Sequence, residues 1–259
     1  MRIRVINPNT TEAMTARIEV SARAVAGPGT TLDAVTPAMG PASIESHYDE
    51  ALSVPGILAE IAAGERCGVD GYVIACFGDP GLDAAREVAG GPVVGLAEGA
   101  FRAAQFLGRG FSVVTTLGRT RGRAWDLVAR YGLTGSCRGV HACEIPVLEL
   151  DRDPAAVSRI VDVSRAALTD DGSDVIVLGC AGMADACATV SAEIGVPVVD
   201  GVAAATVFVQ SLVTLGLRTS TWGEFAPPPP KAYTGILRDF GVSGPDRAAV
   251  SRPDGRLRR

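Results

Sequence analysis

Two stretches of this chain are built alike. "DGYVIACFGDPGLDAAREVAGGPVVGLAEGA" begins at Asp70 and "DVIVLGCAGMADACATVSAEIGVPVVDGVAA" begins at Asp174. Each runs from an aspartate through an apolar run to a cysteine, continues into an Ala-rich stretch and closes on Pro-Val-Val. Asp70 and Cys76 recur as Asp174 and Cys180 at one offset of 104 residues, and Pro92-Val93-Val94 recurs as Pro197-Val198-Val199 one residue later. Upstream, "RVINPNT" from Arg4 resembles "SVVTTLG" from Ser112. Plain apolar runs match by chance, but an acid, a thiol and a closing tripeptide held in register indicate an internal duplication. The fold must therefore accommodate the same unit twice.

The unit reads as strand, helix, strand. Ile3 to Ile6, Gly71 to Ala75, Val93 to Gly95, Phe111 to Thr115, Val175 to Gly179 and Val196 to Val199 are short continuous apolar runs, the pattern of parallel strands covered on both faces. "TEAMTARIEVSARAVA", "VPGILAEIAAGERC", "LDAAREVA" and "AAVSRIVDVSRAALTDD" have the composition and spacing of helices. The alternation predicts an α/β chain of two pseudo-symmetric lobes, each a parallel sheet flanked by helices, with the site in the cleft between them. Residues 1–97 make the first lobe, completed by C-terminal residues from about 207 to 243; residues 98–206 make the second, and 244–259 read as a disordered tail. "FAPPPPKAYTG" from Phe225 reads as a stiff surface segment.

Composition narrows the class of function. With 47% hydrophobic residues in 259, a large core forms without disulfides or metals. A net charge of −5 with scattered basic residues excludes a phosphate-binding stripe, so no nucleic-acid partner is expected. No targeting segment and no membrane-length apolar run are visible, so a cytoplasmic protein with reduced thiols and no membrane partner is expected. Neither Gly-x-Gly-x-x-Gly after the first strand nor a Walker sequence occurs, so no nucleotide cofactor is expected.

Of six cysteines, Cys67, Cys137, Cys143 and Cys187 read as small hydrophobes. Cys76 and Cys180 stand where a strand gives way to loop and helix, where free N–H groups and the helix dipole favour a thiolate. Three chemistries compete there. A metal site needs more ligands at ligand spacing, and His47 and His141 have no partner motif. A nucleophilic thiol needs a base, and neither histidine is at a strand end. A pair of acid–base thiols needs two equivalent groups across a cleft, which duplication supplies. Around them the strand ends offer neutral groups in Asn7, Asn9, Thr10, Thr115 and Thr116. Arg119 and Arg121 read as helix-surface residues, so the inventory suits an uncharged, amide-rich small molecule. Asp79, Glu45 and the loop at Ser43 and Ile44 are candidates to face a substituent on that ligand.

"RVINPNT", "ACFGDPGL", "VVTTL", "LGCAGM" and "PVVDGVAAA", in this order and spread up to roughly Leu217, resemble the aspartate/glutamate racemase superfamily, and within it the hydantoin and allantoin racemases. The resemblance implies cofactor-independent racemisation at C5 of a 5-substituted hydantoin, with Cys76 and Cys180 as the catalytic pair. It also implies backbone N–H groups of Phe77, Gly78, Ala181 and Gly182 on the ring carbonyls, and a homo-oligomer. Amino-acid racemases of the superfamily follow their cysteines with Asn-Thr and Thr-His; Phe77-Gly78 and Ala181-Gly182 stand here, which favours a ring substrate. A maleate-isomerase-like or decarboxylase-like enzyme and a non-catalytic binding module are the alternatives.

Overall fold

The computed structural model describes residues 1–241; the tail expected at 244–259 lies outside them. Two four-stranded parallel sheets share one plan. The first comprises β1 (Arg2–Ile6), β2 (Thr31–Val35), β3 (Gly71–Ile74) and β4 (Val93–Gly95) in the order β2-β1-β3-β4. The second comprises β5 (Phe111–Thr115), β6 (Cys137–Ala142), β7 (Val175–Leu178) and β8 (Val198–Val199) in the order β6-β5-β7-β8. The order is the same in both halves, as duplication requires. The helices are α1 (Glu12–Ala24), α2 (His47–Arg66), α3 (Leu82–Val88) and α4 (Leu96–Leu107) in the first half. Those of the second are α5 (Arg121–Arg130), α6 (Ala156–Asp171), α7 (Cys187–Ile194) and α8 (Gly201–Thr214). None is long and apolar enough to cross a membrane.

The repeated residues have repeated structural tasks. The Asp70 carboxylate accepts from the Arg2 N–H at 2.8 Å, and that of Asp174 from Arg109 and Gly110 at 2.8 and 3.0 Å, so each pins the start of a central strand. The carbonyl of Pro92 accepts from Tyr72 at 2.9 Å and that of Pro197 from Ile176 at 3.0 Å, setting equivalent strand pairs in register. At the other end, Ala75 donates to Ile6 and Gly179 to Val114, both at 2.8 Å, which fixes the height at which each cysteine leaves its sheet.

β2 and β6 had no counterpart among the expected strands. Both are edge strands whose outward positions are polar (Asp33 in β2, Arg138 in β6), so they lack the apolar run that marks a buried strand. The last helix of each half crosses to the other: α4 lies against β7 and β8, and α8 against β3 and β4. Between the sheets one core joins both lobes, with Phe101 of α4 stacked on Phe111 of β5 at 5.3 Å and met edge-on by Phe77 at 5.4 Å.

Candidate active site

The C-terminal ends of the central strands of both sheets open on one cleft enclosing about 200 Å³. β1 delivers Asn9, β3 delivers Cys76, β5 delivers Thr115 and Thr116, and β7 delivers Cys180. Open parallel sheets bind ligands beyond their strand C-termini, where backbone groups lack ladder partners. Asn9, Ile44, Phe77, Gly78, Thr115, Thr116 and Ala181 line the cleft with both cysteines. The Asn9 amide donates to the Met14 sulfur at 3.0 Å, a weak acceptor that a ligand oxygen replaces at little cost. The Thr115 hydroxyl is shared between Thr120 at 3.1 Å and the Gly179 carbonyl at 3.4 Å.

Three of the expected ligand-facing residues are placed elsewhere. Asp79 is 1% exposed and its carboxylate is fully engaged. It accepts from the N–H groups of Ala97 and Glu98 at 2.9 Å each and from the Tyr131 hydroxyl at 2.6 Å, capping the N-terminus of α4 from a distance in sequence. A side chain at Gly95 would come within 2.3 Å of that carboxyl, so the helix must start on glycine. Ser43 stays outside because Pro41 and Ala42 are tied to Thr10 and Thr11, at 2.9 and 2.7 Å, and the loop turns into the cleft only from Ile44. Gly182 sits behind Cys180, against Leu150, and its N–H is directed to the cysteine sulfur.

The thiols also differ from expectation. Both are partly accessible from the cleft but otherwise enclosed, and burial pushes Cys76 up to about 12 and Cys180 up to about 11. The N–H groups of Gly78 and Gly182 oppose this by donating to the sulfurs, and each thiol has a neighbour whose negative charge adds to the rise (Cys180, once ionised, for Cys76; Glu45 for Cys180). The local N–H groups therefore moderate the cost of burial rather than outweighing it. Since the charge of Cys180 bears on Cys76, the two titrate as a pair.

The side of the cleft away from the sheets carries Glu45, as the sequence led one to expect, together with residues that a reading of strand ends passes over. Glu45, Ser46, His47 and Glu50 come from the start of α2 and the loop before it, and Arg119, Thr120 and Arg123 from the start of α5 and the turn before it. Arg119 thus lines the cleft instead of a helix surface, and has no ion-pair partner among the described residues. Arg121 is turned away, donating to the Val140 carbonyl at 2.7 Å. Glu45 accepts from the Val147 N–H at 2.6 Å, a tie between the lobes at the cleft mouth. The signal that brings these residues in is proximity of α2 and α5 across the cleft, which no short motif encodes.

Residues 3–209 match the family described as Asp/Glu/Hydantoin racemase. The chain is similar to a hydantoin racemase from Pseudomonas sp. (strain NS671), 47% identical over 242 residues that cover 93% of this chain and 97% of that protein. Among solved structures, an allantoin racemase from Klebsiella pneumoniae superposes with a TM-score of 0.91 at 50% identity, covering 93% of this chain and 99% of that one. An allantoin racemase from Pseudomonas fluorescens superposes with a TM-score of 0.88 at 40% identity, covering 91% and 100%.

Proposed function

The chain belongs to the Asp/Glu/Hydantoin racemase family, and from that premise we propose that it racemises 5-substituted hydantoins without a cofactor, using Cys76 and Cys180 as a base and an acid. One observation carries the reading: a thiol stands at the end of each of two equivalent strands, and both line the same cleft. C5 of a hydantoin lies between a ring carbonyl and a ring nitrogen, so removal of its proton leaves an enolate. One cysteine, as thiolate, takes the C5 proton from one face while the other, as thiol, gives its proton to the opposite face. Each turnover exchanges the protonation states of the pair, and the reverse reaction uses them in the opposite roles. The N–H groups of Gly78 and Gly182 favour whichever sulfur is ionised. Asn9 and the threonines at the end of β5 are suited to hold the ring's amide groups.

The relatives described above are named for hydantoin and for allantoin, itself a hydantoin with a ureido substituent. The polar rim of Glu45, Ser46 and Arg119 favours a hydrogen-bonding substituent of that kind over a purely apolar one. The test is polarimetry on single enantiomers of allantoin and of aromatic and aliphatic hydantoins, run with wild type and with Cys76→Ser and Cys180→Ser. Each serine variant is expected to lose racemisation by roughly 10²–10⁴-fold. Variants that racemise as fast as wild type in D2O sink the two-thiol reading.

A further inference from the structure

Arg123, on α5, reaches across the cleft to two groups of the first lobe. Its Nη2 donates to the Gly78 carbonyl and its Nη1 pairs with the Glu50 carboxylate on α2. A Cβ on residue 78 would come 3.0 Å from Nε, so glycine there lets the guanidinium lie directly against the loop backbone. The N–H of the same residue, Gly78, donates to the Cys76 sulfur. A charged fork from the opposite lobe thus grips the residue that holds the thiol. The second lobe keeps half of this device: Gly182 donates to Cys180, but what an added Cβ at Gly182 would meet is a methyl of Leu150 at 3.1 Å. We propose that Arg123 is a positioning residue for Cys76 alone, fixing the Gly78 loop against α2 so that one of the two thiols is set by the closing of the lobes on each other. For its place in turnover the proposal rests on the racemase reading; for the thiol itself it does not.

A lysine keeps the charge but presents one point instead of a planar fork, so it cannot serve both the Gly78 carbonyl and Glu50. The experiment measures alkylation of Cys76 and Cys180 by iodoacetamide against pH, by mass spectrometry of the intact chain's peptides, in wild type, Arg123→Lys and Glu50→Gln. Arg123→Lys is expected to slow alkylation of Cys76 at least about threefold at a given pH and displace its profile upward, with a smaller change, or one of opposite sign, at Cys180 as the coupling of the pair transmits it. Glu50→Gln, which leaves the arginine in place, moves Cys76 in the same direction by less, and serves if the lysine variant does not fold. Equal changes at both cysteines, or none at either, overturn the proposal. In racemisation, Arg123→Lys is expected to lower kcat about tenfold or more with a smaller change in KM. Because the two enantiomers have an equilibrium constant of one, kcat/KM falls equally in both directions. A wild-type kcat in Arg123→Lys overturns the proposal as well. Should the wild-type chain racemise no hydantoin, that failure belongs to the reaction assignment, and the alkylation contrast still decides the role of Arg123.

Discussion

After Cys76 the chain reads Phe-Gly-Asp-Pro; after Cys180 it reads Ala-Gly-Met-Ala. The second residue of each loop is a glycine whose N–H faces the sulfur, and there the likeness ends. In the second lobe the helix that follows the sheet, α8, is capped locally: Asp200 accepts from Val202 at 2.8 Å and also from the Ser21 hydroxyl. In the first lobe the equivalent position is Gly95, and the carboxylate that caps α4 is Asp79, in the cysteine loop itself. Both lobes answer the same need, an anion at a helix N-terminus. Only the first makes that anion part of the loop that presents the thiol. The Cys76 loop is therefore anchored twice, by Asp79 to α4 beneath it and by Arg123 across the cleft, whereas the Cys180 loop passes into a 3-10 turn over Ala181–Ala186.

What the lobes share governs the largest effect. With both thiols held up by burial, to about 12 and about 11, the ionised fraction near neutrality is small and grows with pH. kcat/KM is expected to rise about tenfold per pH unit between roughly pH 6 and 8; stopped-time polarimetry across that range checks it, and a plateau would show that the free enzyme already holds a thiolate. What the lobes do differently governs stability. Asp79→Ala removes a cap and strands the buried Ala97 N–H, the part-buried Glu98 N–H and the Tyr131 hydroxyl, an expected loss of about 2–4 kcal/mol in urea unfolding. Asp200→Ala removes a partly exposed cap and is expected to lose about 1–2 kcal/mol. Equal losses would dissolve the contrast. Gly95 has the extended backbone of a cap (φ −81°, ψ 154°), so Gly95→Asp introduced into Asp79→Ala moves the carboxylate to where the second lobe keeps it. That exchange is expected to recover about 1 kcal/mol, while Gly95→Asp alone, meeting the Asp79 carboxyl, destabilises.

The last effect is a pH dependence of stability. Burial raises Asp79 to about 7, against the hydrogen bonds from Tyr131, Ala97 and Glu98 that favour its charge. The folded state thus binds this proton more tightly than the unfolded chain does. Its contribution to stability is complete below the ordinary carboxylate value and is lost as pH rises through about 7. Asp79→Asn is expected to flatten this slope, which is at most about 1.4 kcal/mol per pH unit. Urea midpoints from roughly pH 4.5 to 8 for the two chains measure it.

The duplication was legible because the residues that repeat, Asp70 with Asp174 and Pro92 with Pro197, make backbone-setting bonds that each copy needs in the same place. The cysteines and threonines were legible because a strand's C-terminal end is where an apolar run stops. Asp79 was misread for the same reason that made Cys76 readable: position after a strand end says that a residue is near the cleft, and leaves open which way its side chain turns. Here the N-terminus of α4, nearly twenty residues on, claims it. Arg119, Arg123 and Glu50 were beyond reach because α2 and α5 come from different lobes, and their meeting depends on how the lobes close. β2 and β6 escaped because an edge strand tolerates the polar residues that break an apolar pattern.

The crossing of α4 to the second sheet and of α8 to the first means that each sheet takes one of its covering helices from the other half. This is the connectivity of an arm-exchanged pair written as a single chain. Cut between α4 and β5, each fragment would carry one helix that covers its partner's sheet and lack one that covers its own, and the aromatic stack of Phe101 on Phe111 would be divided between them. The lobes that form the cleft are thus bound to fold as one unit. The distance between two thiols on separate sheets is then fixed by the core that the two halves build in common, a rigidity that reversible docking of two independent domains would not provide.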